Sequence, residues 1–544
     1  MKKIYLSAAA ILAGTIMSAQ AFWTPTTYKG AFPVTDGTPA TNWASGWSNF
    51  DPENTVYATP TQTVSADITS NTTWSGVVLL QNKVYVKNNA VLTIQPGTVI
   101  RGDKATQGTL IITKGAQINA AGTASQPIVF TSNEAVGNRQ EGDWGGLVVL
   151  GLAVNNQPGG TANIEGITPI PETAYGGTND ADNSGTLTYI RIEFAGIPLQ
   201  PNKEINGLTL GSVGSATTVR YIQVSFSGDD SFEWFGGTVD AKYLIAYRGL
   251  DDDFDCDFGF RGRVQFAVSI RDKDLSDAAG DSNSFEVDND GTGSTATPQT
   301  KAVFSNVTLI GPKGDGTIVL PGGEKFEKAF RLRRNSALSV FNSLVTGWEK
   351  GLSIEDPSTQ TNYGSGNGTI SNVILTNFAT ATKIVTSGNP YNAALFGTNG
   401  NDTTTTIAQI NWVNAFPALG VTPDLRLSAA STASTGAAFT NSVFAGQVTG
   451  INNITNFNDK VVSVYPNPAN ESALLVIDAV NASSINVAIY DVTGKLVSSP
   501  VINQNLSIGE NSYTLNTANL NSGVYFISIN TNGTKQTVKL VVSK

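Results

Sequence analysis

Histidine is absent from the 544 residues, and cysteine occurs once, at Cys256. Without histidine the chain has no imidazole general base, no serine–histidine–aspartate triad and no histidine metal ligand. A single cysteine excludes a disulfide within the chain and a cysteine-rich zinc centre. Charged side chains are scarce, at 14%. No long stretch shows apolar residues spaced by three and four, so amphipathic helices are not expected. Any catalysis must therefore rest on Asp, Glu, Lys, Arg or Tyr. What the chain does have is 40% hydrophobic residues, 55 glycines and abundant Thr, Asn, Ser and Val. That mixture buries a core and suits short strands and tight turns. The formal net charge of −10 argues against nucleic acid or an anionic membrane as partner, and fits a solubilising exterior or one that holds cations.

Both ends read as addresses. Lys2 and Lys3 precede an apolar stretch from Ile4 to Met17, and Ala19-Gln20-Ala21 follows as a small-x-small cleavage site. Residues 1–21 are expected to be a signal peptide, with the mature chain beginning at Phe22. The stretch is short for a spanning helix, which needs about 20 residues, and no other segment reads as one. At the other end VVSVYPNPANESALLVIDAV, INVAIYDVTGKLV and GVYFISINTNGTKQTVKLVVSK alternate apolar and polar residues, as half-buried strands do. Turns fall at Thr493-Gly494, Asn521-Ser522-Gly523 and Asn532-Gly533. The pattern predicts a small antiparallel β-sandwich over 461–544, after an Asn-rich linker at 448–460.

The words of that segment are Tyr465-Pro466-Asn467-Pro468, Tyr490-Asp491 with Gly494-Lys495, Gly523-Val524-Tyr525 and Lys539-Leu540-Val541-Val542. In combination they resemble the type A C-terminal sorting domain of the type IX secretion system. The resemblance implies export through the Sec route and then across the outer membrane, with the secretion machinery and its sortase as partners. It also implies removal of the sorting domain. The product would be secreted or attached to the outer-membrane surface.

Between the ends one strand-like word recurs: LTYIRIEFAG (187–196), VRYIQVSFSG (219–228), KYLIAYRG (242–249), VQFAVSIR (264–271), VFSNVTLIG (303–311), VFNSLVTG (340–347) and ISNVILT (370–376). A second word follows: FEW (232–234), FDC (254–256), FEV (285–287), FRL (330–332) and LSI (352–354). Tyr221 to Tyr243, Phe232 to Phe254 and Phe330 to Leu352 are each 22 residues apart. Two words in phase mean two strands per coil, on different walls of one solenoid. Coils stack at strand spacing, about 4.8 Å. Phe232, Phe254 and Phe285 are thus predicted to form an inward column, with Trp234, Cys256 and Val287 beside it, and Cys256 reads as a buried small apolar residue. The fold class is all-β: a parallel β-helix over 76–447, then the small sandwich. A stack of β-sandwich domains explains the alternation but not the two in-phase words. Residues 22–75, with Trp23, Trp43, Trp47 and Trp74, read as an irregular cap over the first coil.

The stretches NNAVLTIQPGTVIRG (88–102), AAGTASQPIVFTSN (120–133) and GDWGGLVVLG (142–151) resemble a group of secreted Bacteroidota β-helix proteins of unassigned activity. The likeness covers about residues 28–447. It implies right-handed winding, which the handedness of parallel crossovers also favours, and leaves the chemistry open.

Acids crowd residues 229–290. If the Phe column faces inward, alternation sends Glu233, Asp255 and Glu286 outward in one file, continued by Arg331 and Ser353. A neighbouring file holds Phe235, Asp257, Asp288, Arg333 and Glu355. Like carboxylates one strand spacing apart repel, and three arrangements would relieve them. The first is an exposed ladder of ion pairs with Arg331, Arg333 and Arg334. The second is calcium, which takes about six to eight oxygens. Its candidate ligands are Asp229, Asp230, Asp253, Asp255, Asp257, Glu286, Asp288 and Asp290. Glu286-x-Asp288-x-Asp290-Gly291 mimics the start of an EF-hand loop, but Thr297 stands where the closing Glu belongs. The third is catalysis on an acidic polysaccharide, with Glu233, Asp255 and Glu286 as candidate catalytic carboxylates and Arg248, Arg261, Arg263 and Arg271 as cations. No enzyme-family motif surrounds them. The chain is therefore expected to be a non-catalytic exported β-helix for adhesion or glycan and matrix contact, stiffened by calcium. The alternative is a secreted polysaccharide lyase or glycoside hydrolase using the acidic wall.

Overall fold

A computed structural model of the protein describes residues 22–38, 41–200, 203–277, 280, 282–323, 325–377, 384–385, 393–417, 420–444, 462–479, 483–491, 495–507, 509–531 and 534–544. The expected signal peptide, the linker at 448–460 and the turn residues Thr493, Gly494, Asn532 and Gly533 lie outside these.

Short strands wind into the coils of a parallel β-helix. One wall is a ten-stranded sheet running from Lys83–Val86 through Thr109–Ile112, Gly146–Leu150, Leu208–Gly211, Phe232–Phe235, Phe254–Asp257, Phe285–Val287, Lys328–Leu332 and Lys350–Ile354 to Ile384–Val385. Every neighbouring pair in it is parallel. The predicted inward column is realised there. Phe232, Phe254, Phe285, Phe330 and Leu352 follow one another in register and are fully buried. Cys256 lies in the adjacent buried column between Trp234 and Val287.

The longer word turns out to be two strands and a corner. Gly185–Glu193, Thr218–Ser225, Asp240–Tyr247, Arg263–Ile270 and Val303–Ile310 belong to a sixteen-stranded sheet that bends midway. The first half of Gly185–Glu193 pairs with Gln117–Ala121 and its second half with Ile128–Ser132. Each coil therefore has three walls, not the two expected. A single left-handed residue makes the corner and leaves no gap in the pattern. These corner residues are Tyr189, Tyr221, Tyr243, Phe266 and Asn306, with φ between 50° and 63°. Asn342 and Asn372 continue the series.

A left-handed conformation costs a residue with a Cβ roughly 1–2 kcal/mol, less for asparagine. At the aromatic corners stacking offsets it. Tyr189 and Tyr221 have ring centroids 4.3 Å apart, as do Tyr221 and Tyr243, and Phe266 follows at 5.1 Å. Such pairs contribute about 0.5–1.5 kcal/mol each beyond their burial.

This aromatic ladder is covered by the N-terminal segment. Residues 22–58 run along the flank against the direction of coil stacking. Thr24 exchanges two hydrogen bonds with the Gln265 side chain, and Asn49 does the same with Gln223. Trp43 packs on Tyr243, and Trp47 sits edge-on to Tyr189 and Tyr221. Tyr57 donates to both oxygens of the buried Glu193. The segment is thus a strap on the side of the solenoid, where a cap over the first coil was expected. Gln62–Val64 and Thr72–Trp74 are already coil strands, and Ile68 and Trp74 are buried at that end of the interior. At the other end the coils run to Ile374–Thr376 and Ile384–Val385. The chain then folds back along the strap: Leu427 bonds to Pro33 and Thr35, and Phe444 packs between Trp23 and Phe341.

The C-terminal segment forms two antiparallel sheets, one of Val462–Tyr465, Ser472–Ala479 and Gly509–Asn516, the other of Ser483–Asp491, Leu496–Leu506, Gly523–Thr531 and Thr534–Val542. Leu475, Ile485, Val487, Ile489, Leu515, Ile527 and Leu540 form a core of its own. No helix among the described residues is long and apolar enough to cross a membrane.

The ladder makes a quantitative expectation. Tyr243→Ala should cost about 3–5 kcal/mol in denaturant unfolding, and Tyr243→Asn distinctly less, because asparagine tolerates the corner. Equal losses in the two variants would contradict the strain argument.

Candidate functional site

The outward positions of the ten-stranded wall change character along the solenoid. Upstream they are apolar. Ile111, Val148, Leu150 and Phe235 pack with Ile164, Ile167 and Tyr175 of the excursion 152–182, which lies over the wall. Next come the acids. Glu233, Asp255, Glu286, Arg331 and Ser353 succeed one another in register, as the alternation predicted, and Thr209 precedes them. The wall is not an open surface at this point. Glu233 is only 8% exposed, and Asn206, from the segment preceding Leu208, donates to its carboxylate.

The candidate residues separate into two groups. Downstream, arginines answer the acids. Arg331 and Arg333 both reach Glu286, Arg333 and Arg334 both reach Asp288, and Arg331 also meets Glu355 at 3.3 Å. Asp253 turns away to Arg271 at 3.0 Å, an ion pair with no exposed side-chain surface, further bonded by Ser269 and Ser284. Asp290 closes its own turn through Thr292 and Ser294, which hold its carboxyl down at about 2. The EF-hand-like run therefore does not converge on one point. Asp257 accepts from the Phe258 amide at 2.6 Å and faces Asp288, which with burial raises its carboxyl.

Upstream of these pairs the acids meet one another. Asp229, Asp230 and Asp251 each place an oxygen within 4.8 Å of the others, and so do Asp230, Glu233 and Asp255. Among the described residues no lysine or arginine forms an ion pair with Asp230, Glu233, Asp251 or Asp255. Two unit charges 4.8 Å apart repel by roughly 3–4 kcal/mol at an effective dielectric near 20. Burial, and then the neighbouring carboxylates, push Asp230, Glu233, Asp251 and Asp255 well above the ordinary carboxylate range. Asp252 is raised to about 8 by burial and Asp251, and Glu286 to about 7 by burial and Asp252 despite its arginines. Such a cluster either keeps protons or takes a cation. Two buried oxygens beside it have no hydrogen-bond partner, Oδ1 of Asp255 and Oδ1 of Asn206. All the donors are oxygen, the set that hard divalent cations prefer.

Glu233, Asp255, Asp229 and Asp230 are thus brought together. Asp253, Asp257, Glu286, Asp288 and Asp290 stand in other contacts. Asp251 and Asn206 were not among the candidates. Asp251 was within reach of the repeat, since it follows Asp229 by 22 residues, as Asp255 follows Glu233. Asn206 comes from an inserted segment and carries no periodic signal.

Residues 66–416, well over half of the chain, match a family described as a pectate-lyase like beta helix domain. The chain belongs to this β-helix family. Residues 463–543 match the secretion system C-terminal sorting domain. The family match spans both the apolar and the acidic part of the wall, and the sorting domain coincides with the separate sandwich. The protein is therefore an exported β-helix, secreted or attached to the outer-membrane surface, and the secretion machinery handles it through this domain. A comparison with curated proteins finds no match.

Carboxyls raised in the folded chain hold more protons than the unfolded chain does between about pH 4 and pH 8, so stability falls as pH rises through that window. In chelator, the melting temperature should be highest near pH 5 and drop steadily towards pH 8. A rising profile over that range would show that the acids are compensated in some other way.

Proposed function

We propose that this exported β-helix is a non-catalytic surface protein that contacts glycan or matrix, with calcium held in its acidic wall. The observation that carries the reading is the convergence of two carboxylate triads on Asp230. Among the described residues no lysine or arginine forms an ion pair with Asp230, Glu233, Asp251 or Asp255, while Glu286 and Asp288 downstream have theirs. An ion there would join neighbouring coils through Glu233 and Asp255, and through Asp229 and Asp251. It would stiffen the middle of a long rigid face, and such a face binds by many weak contacts spread along it.

The family's likeness to pectate lyases supports a second reading, a polysaccharide lyase or glycoside hydrolase on the same wall. The residue types suit it, because acids and arginines stand side by side. The engagement of Arg331 and Arg333 with Glu286 and Asp288 favours the first reading, since a cation that must meet a substrate would have to leave those partners.

Saturating calcium should raise the melting temperature at pH 7.5 by on the order of 5 °C over chelator. On a panel of acidic and neutral glycans the protein should be retained in calcium, released by chelator, and leave the glycans uncut. Identical melting in calcium and chelator would remove the cation from the account. Accumulation of shortened or unsaturated products would establish the enzymatic reading instead.

A further inference from the structure

We propose that the acidic cluster is a two-cation centre in which Asp230 bridges both ions. This rests on the cation reading above and specifies its stoichiometry and ligands.

Calcium–oxygen distances are about 2.3–2.6 Å, so two ligands of one ion stand at most about 5 Å apart. The Asp229–Asp230–Asp251 set meets that limit, and so does the Asp230–Glu233–Asp255 set. The sets share one residue. Asp229 and Asp251 lie in the turns that lead into the wall, whereas Glu233 and Asp255 lie on the strands Phe232–Phe235 and Phe254–Asp257. Each set draws on the same two successive coils, with Asp229 over Asp251 in one and Glu233 over Asp255 in the other. The stacking that creates the repulsion therefore creates it twice, at neighbouring places.

Asp230 is suited to the bridge. It is 7% exposed, and one of its oxygens accepts the Asp252 amide at 2.9 Å, which fixes the carboxylate plane. The second set has an observation independent of its charges. Asn206 is 4% exposed, its side-chain nitrogen bonds Glu233, and its Oδ1 lies buried without a partner. An amide oxygen beside two carboxylates is a usual addition to a calcium shell. The buried, unpartnered Oδ1 of Asp255 belongs to the same set. The first set is closer to solvent, since Asp229 and Asp251 are both partly exposed, whereas in the second set only Asp255 is. The two ions should therefore differ in affinity, with the Glu233 side tighter.

The test is calcium titration of the full chain by calorimetry and native mass spectrometry, with Asp251→Asn, Glu233→Gln and Asp230→Asn beside it. The wild type should bind two ions. Asp251→Asn should keep the tighter one, Glu233→Gln only the weaker, and Asp230→Asn should weaken both at least 100-fold. Should Asp230→Asn fail to fold by circular dichroism, the two single variants decide alone. One ion in the wild type, abolished by either Asp251→Asn or Glu233→Gln, would overturn the bridge but keep the cation. No ion in the wild type would overturn both.

Discussion

Residues that repeat along this chain are made to lie on their own kind, one strand spacing apart. A parallel β-helix stacks each coil in register with the last, so a residue type that recurs at the coil period faces its own kind across neighbouring strands. Where the repeated residue is apolar this is favourable at every step. The Phe232, Phe254, Phe285 and Phe330 column fills the interior with ring on ring. Where the repeated residue is a corner, stacking of Tyr189, Tyr221 and Tyr243 offsets a left-handed conformation that none of them would adopt alone. Where it is a carboxylate the same geometry is costly, and the molecule answers in two ways. Arginines meet Glu286 and Asp288, and close carboxylate sets form around Asp230.

The ends of the solenoid follow from the same constraint. A stack of coils leaves a flank of corner residues that no further coil can cover. The chain uses its first residues as a strap over that flank, with Trp43 and Trp47 on the ladder and the amides of Gln223 and Gln265 acting as extra strand partners. The segment after the last coil returns to the start of the strap. The two ends of the domain are thus held against each other, and the sorting sandwich carries its own core.

Much of this was legible in the residues because a period of 22 has few structural explanations. The Phe column, the burial of Cys256 and the register of Glu233, Asp255 and Glu286 follow from alternation counted from one aromatic. The third wall was not legible, since a corner made by one left-handed tyrosine looks like an uninterrupted strand. The strap was misplaced because its contacts lie some 140 to 240 positions away in sequence. The division of the acids was hidden for a related reason. Asp251, Asp252 and Asp253 are consecutive and chemically identical, yet Asp251 joins Asp229, Asp252 accepts from Asn283 and Asp253 pairs with Arg271.

The sequence by itself determined the class of fold, the export route and which side chains stack. Those depend on periodicity and on short contiguous words, which survive without coordinates. Only the tertiary structure decided which acids meet arginines, as Glu286 and Asp288 do, and which converge on Asp230. It also showed that the 152–182 excursion covers the apolar outward positions and that Glu233 is buried beside Asn206. Charge compensation depends on distances of a few ångströms between residues brought together from different coils and inserted loops, and no spacing along the chain records them.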